Sequence, residues 1–477
     1  MVNATVAPEG IYTTADGQEY LYNVGDISWV LTSSALVFIM IPGLGFFYSG
    51  LLRKRSALSM IWMSMAVFAV VFFEWFFWGF SLAFSKTGSP FIGNLDHFGF
   101  MGVDIGPSTG SDFMPQLVYA FYQAMFACIT PVIACGAFAD RARLGPVLLF
   151  AFCWATIVYN PLACWTWNLS SGWLASLGAL DFAGGTPVHI SSGTAAFAIS
   201  LFLGRRKGYG TDALAYRPHN VANVILGTVF LFFGWFGFNG GSALGANLRA
   251  AMASTVTALS ASVAGLTWML LDWRLERKWS AVGLCSGIIS GLVAITPASG
   301  YVGAPAAVAI GFVGAVCCNF ATSFKGLVGV DDALDIFAAH GVGGFVGDIL
   351  TAFFADSRVA SFDGSDPIDG GWINRNWIQL GYQLADATAG MAYSFVVTLI
   401  LLFLIDRIPG CHFRASEEAE VIGVDLDQIG EEAIVFPANH SPYSDDVERA
   451  ESNTPHGSTY KADEKPSAQP QGEVVAA

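Results

Sequence analysis

The 477 residues are 54% hydrophobic and 12% charged, with 39 Phe, 53 Gly and a mean hydropathy of +0.54, where an average soluble domain carries about 25% charged residues. That balance excludes an ordinary soluble enzyme, and a net charge of −15 argues against a nucleic-acid partner. Much of the negative charge lies from Glu417 onward, so the net figure does not describe the apolar part.

In chain order, segment 1–27 lacks a basic start followed by an apolar run, so no cleaved signal peptide is expected. Eleven apolar stretches then follow, most near the roughly 20 residues that cross a bilayer: 28–52, 57–84, 115–139, 144–167, 186–203, 221–241, 248–271, 280–297, 303–324, 333–354 and 377–405. The fold class is therefore an all-α integral membrane protein with eleven transmembrane helices, multi-pass in the lipid bilayer. Alternate loops hold thirteen Lys and Arg (53–55, 141, 143, 205–207, 217, 274, 277, 278, 325) against four in the other set (86, 249, 358, 375). The rich set belongs to the cytoplasm, which puts the N-terminus outside and the C-terminus inside. An outer N-terminus makes Asn3, in Asn3-Ala4-Thr5, a candidate glycosylation site. The tail, 406–477, is cytoplasmic and regulatory. Its residues 417–435 alternate acidic and apolar positions and are expected to dock; beyond about Pro437 the Ser, Pro, Asp and Glu content predicts disorder. Ser441, Ser444, Ser452 and Thr454 are candidate sites for a kinase there. The eight cysteines fall mostly in apolar segments without CxxC spacing and read as small buried hydrophobes, so no metal and no cofactor are expected.

An internal repeat is more informative. Asp181, His189 and Gly193 are spaced Asp-x7-His-x3-Gly, and Asp332, His340 and Gly344 share that spacing. They fall on the fifth and tenth stretches. Gly45-Phe46-Phe47-Tyr48-Ser49-Gly50 on the first and Gly237-Phe238-Asn239-Gly240-Gly241 on the sixth form a second pair. Two five-helix units follow: 28–204 (helices 1–5) and 221–356 (helices 6–10), joined by a cytoplasmic loop, 205–220, with 377–405 as helix 11. An odd number of crossings per unit requires opposite insertion, the inverted-repeat arrangement of many transporters. Each histidine lies about 12 Å of helix rise past its aspartate, so both are expected near mid-membrane, where polar side chains usually face a cavity. The aspartates also suit helix capping. Glu74 and Asp386, the other intramembrane acids of note, read as interhelical or interfacial hydrogen-bonding residues.

These residues carry a resemblance. The runs 181–193, 234–242 and 340–347 resemble the ammonium transporter family of ammonium transporters, methylammonium permeases and Rh glycoproteins, and the likeness extends from about Val24 to Ala433. The sequon, the long acidic tail and the retained first histidine look most similar to a fungal high-affinity ammonium permease. The resemblance implies a plasma-membrane homotrimer with one pore per subunit, serving nitrogen uptake and carrying ammonium and methylammonium. It further implies roles for single residues: Trp167, Phe126, Ser242 and Asp181 in recruiting the cation, Phe126 and Phe238 as a gate, His189 and His340 as the twin histidines of the pore, and Asp332 in support. An indole face attracts a cation and a hydroxyl accepts one of its hydrogen bonds. Neutral NH3 is far cheaper to desolvate than the ion. The expected mechanism is therefore deprotonation near the gate, passage of NH3 past the histidines, and separate movement of the proton.

A sensor reporting ammonium through its tail is compatible with transport. A metal enzyme built on the two histidines lacks a third ligand at usual spacing, and coupled amino-acid or sodium transport lacks an unwound, acid-lined site. The chain is expected not to be an enzyme.

Overall fold

The computed structural model describes residues 10–13, 17–211, 218–364 and 368–433. Asn3, Arg217, Ser441, Ser444, Ser452 and Thr454 lie outside them, as does the stretch predicted to be disordered. Ahead of the membrane part, β1 (Gly10–Thr13) and β2 (Glu19–Tyr22) form an antiparallel hairpin that composition did not reveal.

Among the described residues, ten helices are long and apolar enough to cross a membrane. They are α1 (Val24–Leu51), α2 (Lys54–Phe84), α3 (Gln116–Phe138), α4 (Leu144–Trp167), α5 (Gly185–Leu203), α6 (Val221–Ala243), α7 (Leu248–Glu276), α9 (Ala304–Val328), α10 (Phe337–Phe354) and α11 (Gln379–Asp406). The eighth predicted stretch is helix α8 (Ala281–Ile295), whose 15 residues stop at a turn through Thr296 and Pro297. That is about 22 Å of rise, short of a 30 Å hydrocarbon core. Two further boundaries differ for identifiable reasons. Helix α1 begins at Val24 rather than 28 because Asn23 caps it, its side chain accepting from Gly25 N. Helix α10 begins at Phe337 rather than 333 because Asp335 takes a left-handed conformation, φ 54°, and Asp332 caps the following turn instead.

The packing pairs equivalent helices of the two proposed units. Helix α1 runs along α6, and α5 lies against α10. The second contact depends on missing side chains. A Cβ on Gly193 would stand 2.1 Å from Gly341 N, and one on Gly344 would press on Ile190 and His189. These glycines let the helices that carry the histidines touch backbone to backbone. Gly193→Ala is therefore expected to force α5 and α10 apart, lowering stability by about 1–3 kcal/mol and uptake with it; thermal unfolding of purified protein beside wild type checks this.

At the face carrying the C-terminal segment, charged side chains lock the loops together. Arg141, fully buried, donates to Asp331 at 2.9 Å. Arg206 bridges Asp331 and Asp140, both at 2.9 Å, and Arg53 reaches Asp140 at 3.2 Å. The segment after α11 docks on this network: Ala415 N donates to Arg141 O, and Arg414 donates to Leu203 O and Glu420. A short helix, α12 (Glu417–Ile422), follows, and then Asp425 accepts from Leu58 N and Ser59 N while Gln428 accepts from Leu144 N.

Candidate substrate pathway

The two histidines enter through the same local device. His189 lies in a π-helical turn, Gly185–Ile190, and His340 in another, Phe337–Val342. Such wide turns recur at functional sites because they displace a side chain from the regular helical face. Each is preceded by its aspartate. Asp181 accepts from Gly184 N, Gly185 N and Thr186 N, satisfying three free donors at the start of α5. Asp332 accepts from Phe337 N only. Burial pushes the Asp181 carboxyl up, while the three backbone donors pull the other way.

The imidazoles meet. Their Nδ1 atoms are 3.2 Å apart, in a cavity wall where both rings are buried. A bond between two Nδ1 atoms requires one ring to carry a proton there and the other not. His189 Nε2 has no hydrogen-bond partner. The His189 ring stacks on Trp235 at 5.4 Å and on Phe238 at 5.9 Å.

Above the histidines, on the side away from the tail, Phe126 and Phe238 close the path with ring centroids 4.3 Å apart. Trp167 stands edge-on to Phe126 at 5.8 Å, its indole N–H donating to Asp181 O at 3.0 Å. Ser242 donates to Phe238 O at 2.8 Å and lies 3.2 Å from the Tyr122 hydroxyl. Trp167, Phe126, Tyr122 and Ser242 line a vestibule of about 370 Å³ together with Asp181, Arg249 and Tyr301. Below the phenylalanines, a cavity of about 60 Å³ continues toward the tail face, lined by both histidines, Trp235, Leu44, Ile133 and Asp335. It admits a few molecules the size of water or NH3. Lys325 pairs with Asp335 at 2.7 Å.

The structure thus brings Trp167, Phe126, Ser242, Asp181, Phe238, His189 and His340 along one path, and leaves Asp332 behind as a cap. Sequence reasoning missed Tyr122 and Trp235. Trp235 sits three residues before Phe238, on the same helical face, and that spacing was its available signal. Glu74 does bond across helices, accepting from Thr156 and Asn160. Asp386 turns its carboxyl to the Thr186 hydroxyl of α5, an interhelical neighbour, with neither oxygen meeting strict hydrogen-bond geometry.

Known proteins give this path its context. Residues 28–434 match the model of the Ammonium Transporter Family. "Ammonium transporter 1" of Schizosaccharomyces pombe is 54% identical over 438 residues, 91% of this chain and 88% of that protein. The crystal structure of Candida albicans Mep2 superposes with a TM-score of 0.80 at 49% identity, covering 86% of this chain and 90% of that one. A solved "Sensor Amt Protein" reaches 0.76 at 28% identity, covering 85% and 98%. A helical membrane path with this sequence behind it has one family to go to, and the chain belongs to the Ammonium Transporter Family as a transporter rather than an enzyme.

Proposed function

We propose that this ammonium transporter collects NH4+ in the vestibule, strips its proton near the Phe126–Phe238 pair and conducts NH3 past His189 and His340. The supporting observation is the change in surroundings along one line. A roomy, polar-rimmed chamber narrows to two touching phenyl rings, then to a small, mostly apolar cavity whose polar lining includes the paired imidazoles and, toward the tail face, Asp335. An ion entering that cavity gives up hydration that hydrocarbon does not replace, whereas NH3 enters at small cost. The histidine pair, already sharing a hydrogen bond, offers the released proton a separate route.

Several wider readings belong to this proposal. The count of eleven crossings takes α8 as a span, completed by the turn that follows it. The α1–α6 and α5–α10 pairings support an inverted repeat, and the charge asymmetry of the loops supports an outer vestibule and an inner tail. Plasma-membrane location, methylammonium as second substrate and assembly as a homotrimer are carried by family membership.

Recruitment is tested by labelled methylammonium uptake in cells lacking such transporters. Trp167→Leu and Ser242→Ala are each expected to raise the apparent KM about five- to thirtyfold, the equivalent of losing a 1–2 kcal/mol contact. Unchanged KM in both would remove the vestibule from the mechanism.

A second reading, ammonium sensing through the tail, is favoured by the docking of residues 413–428 against the helix starts and by the sensor among the related structures. A chain ending after Ala433 that still transports but no longer signals separates the two roles and places signalling, with any kinase target, in the remainder of the tail.

A further inference from the structure

Behind the vestibule, two acids that the transport path does not use stand close to one that it does, Asp181. Asp348 on α10 and Asp386 on α11 are fully buried, and Asp181 is 5% exposed. Gln383 ties them into one place. Its amide donates to Asp348 and to Leu180 O and its carbonyl accepts from Leu180 N, the residue before Asp181. One turn past Asp386, a Cβ on Gly390 would stand 2.3 Å from Thr186, so α11 lies directly on the residue whose N–H caps Asp181. Asp386 falls between these two anchor points and faces Asp181 and Thr186; Asp348 faces Asp386, Asp181 and Gln383.

The hydrogen bonding is incomplete. Asp348 Oδ2 is buried with no partner, and the buried Asp386 carboxyl has only the Thr186 hydroxyl facing it, outside strict hydrogen-bond geometry. None of the ion pairs among the described residues includes Asp181, Asp348 or Asp386. Arg249, the cation lining the vestibule, is engaged by Asp363 at 2.7 Å and lies over Phe182 and Tyr301. Nor does a metal resolve the charge, because among the described residues no three His, Cys, Asp or Glu side chains are arranged to hold one. Three neighbouring carboxylates without a cation do not all ionise. A protonated carboxyl, by contrast, becomes a donor and supplies the hydrogen that the unpartnered oxygens lack.

We propose that Asp181, Asp348 and Asp386 form a proton-sharing carboxyl cluster that serves as an adjustable counter-charge for ammonium in the vestibule. With the vestibule empty, the cluster retains a proton. A cation arriving beside Asp181 makes the ionised form cheaper; a carboxyl O–H bond breaks, its electron pair stays on oxygen, and the proton passes to vestibule water as hydronium. The cluster then matches the cation with one more negative charge than it held at rest. Asp348 and Asp386 act through Asp181 and are positioning residues, with no substrate contact of their own.

The inference rests on the vestibule reading above, and its test keeps the two apart. Purified full-length protein in lipid is titrated with methylammonium while binding is followed by calorimetry and the carboxyl C=O stretch by infrared difference spectroscopy. Binding is expected to bleach a protonated-carboxyl band in wild type, and that band should be missing from the Asp348→Asn/Asp386→Asn variant. Binding without any carboxyl change in wild type overturns the cluster and leaves the vestibule standing. A bleached band that persists in the double variant assigns the proton elsewhere and also overturns it. Absence of binding removes both readings. In uptake assays, protons compete with the substrate, so the wild-type KM should rise about tenfold for each proton displaced per pH unit at most as external pH falls. Asp386→Asn should flatten this dependence, with the difference carried by KM; an unaltered profile in a variant present at wild-type amount at the membrane contradicts the proposal. The infrared measurement on wild type needs no variant to fold.

Discussion

Alanine in place of His340 is expected to lower methylammonium uptake at least tenfold, and alanine in place of His189 to do the same. Each ring is the other's hydrogen-bond partner at 3.2 Å. Removing one leaves the remaining Nδ1 unpaired among Trp235, Phe238 and Ile133, where an unsatisfied polar group costs about 1–3 kcal/mol. Water entering the vacated space relieves that penalty but enlarges the polar volume of a small, mostly apolar cavity, which under the proposed mechanism weakens the preference for NH3 over the ion. The two substitutions therefore share a second signature, a change in ammonium-evoked current relative to uptake. His189→Ala has the larger structural consequence, since this ring also stacks on both Trp235 and Phe238. Uptake and current recorded beside wild type, normalised to protein at the cell surface, decide the matter. If both variants keep both signals, the histidines are not the pore.

The second large effect is on stability. Asp331→Asn is expected to destabilise the protein by about 3–5 kcal/mol, the usual consequence of leaving a buried charge without its partner. Arg141 is the charge concerned. It is fully buried, its pKa is pushed down to about 10 chiefly by that burial, and Asp331 is its carboxylate partner. Asp331 also takes two bonds from the Arg206 side chain, so one substitution disconnects two loops. Replacing the pair together, Arg141→Met with Asp331→Leu, should recover part of the loss, because two well-packed apolar groups carry no desolvation penalty. The network has a pH signature as well. Burial opposes ionisation of Asp140 and Asp331, yet the neighbouring arginines outweigh it and hold both carboxyls below the usual range. Their contribution is complete above the ordinary aspartate value of about 3.9 and fades as pH falls through the lower folded values. Thermal unfolding of detergent-purified protein at neutral and strongly acid pH, for wild type and Asp331→Asn, checks both statements. The gap between the two proteins should narrow in acid.

The helices were legible wherever a long apolar run met a clear break, as at α2, α4 and α6. Helix α8 fell short because composition marks apolar residues without saying where the chain turns; Thr296 and Pro297 continue the apolar stretch but not the helix. The histidine pair was legible through its repeated spacing, although the π-helical turns holding both rings leave no trace in hydropathy. Asp386 shows a different limit. A lone acid in an apolar helix announces that something compensates it, and only the fold reveals that the neighbours are two more acids. The loop arginines carried a double meaning. Counted as charges they suggest sidedness, but Arg53, Arg141 and Arg206 are also cross-braces for Asp140 and Asp331. Spacing alone does not separate the two uses.

Asp425 and Gln428 give the tail a meaning that a deletion experiment has to respect. The first turns of α2 and α4 receive their hydrogen-bond acceptors from residues 366, 367 and 284 positions later in the chain. Two membrane helices thus depend on a segment near the far end of the described chain to finish their ends. A stop codon ahead of Asp425 exposes bare helix starts at the membrane surface, and any fall in uptake then confounds a lost signal with a poorly closed scaffold. Only truncations placed beyond Gly430 ask a question about regulation alone.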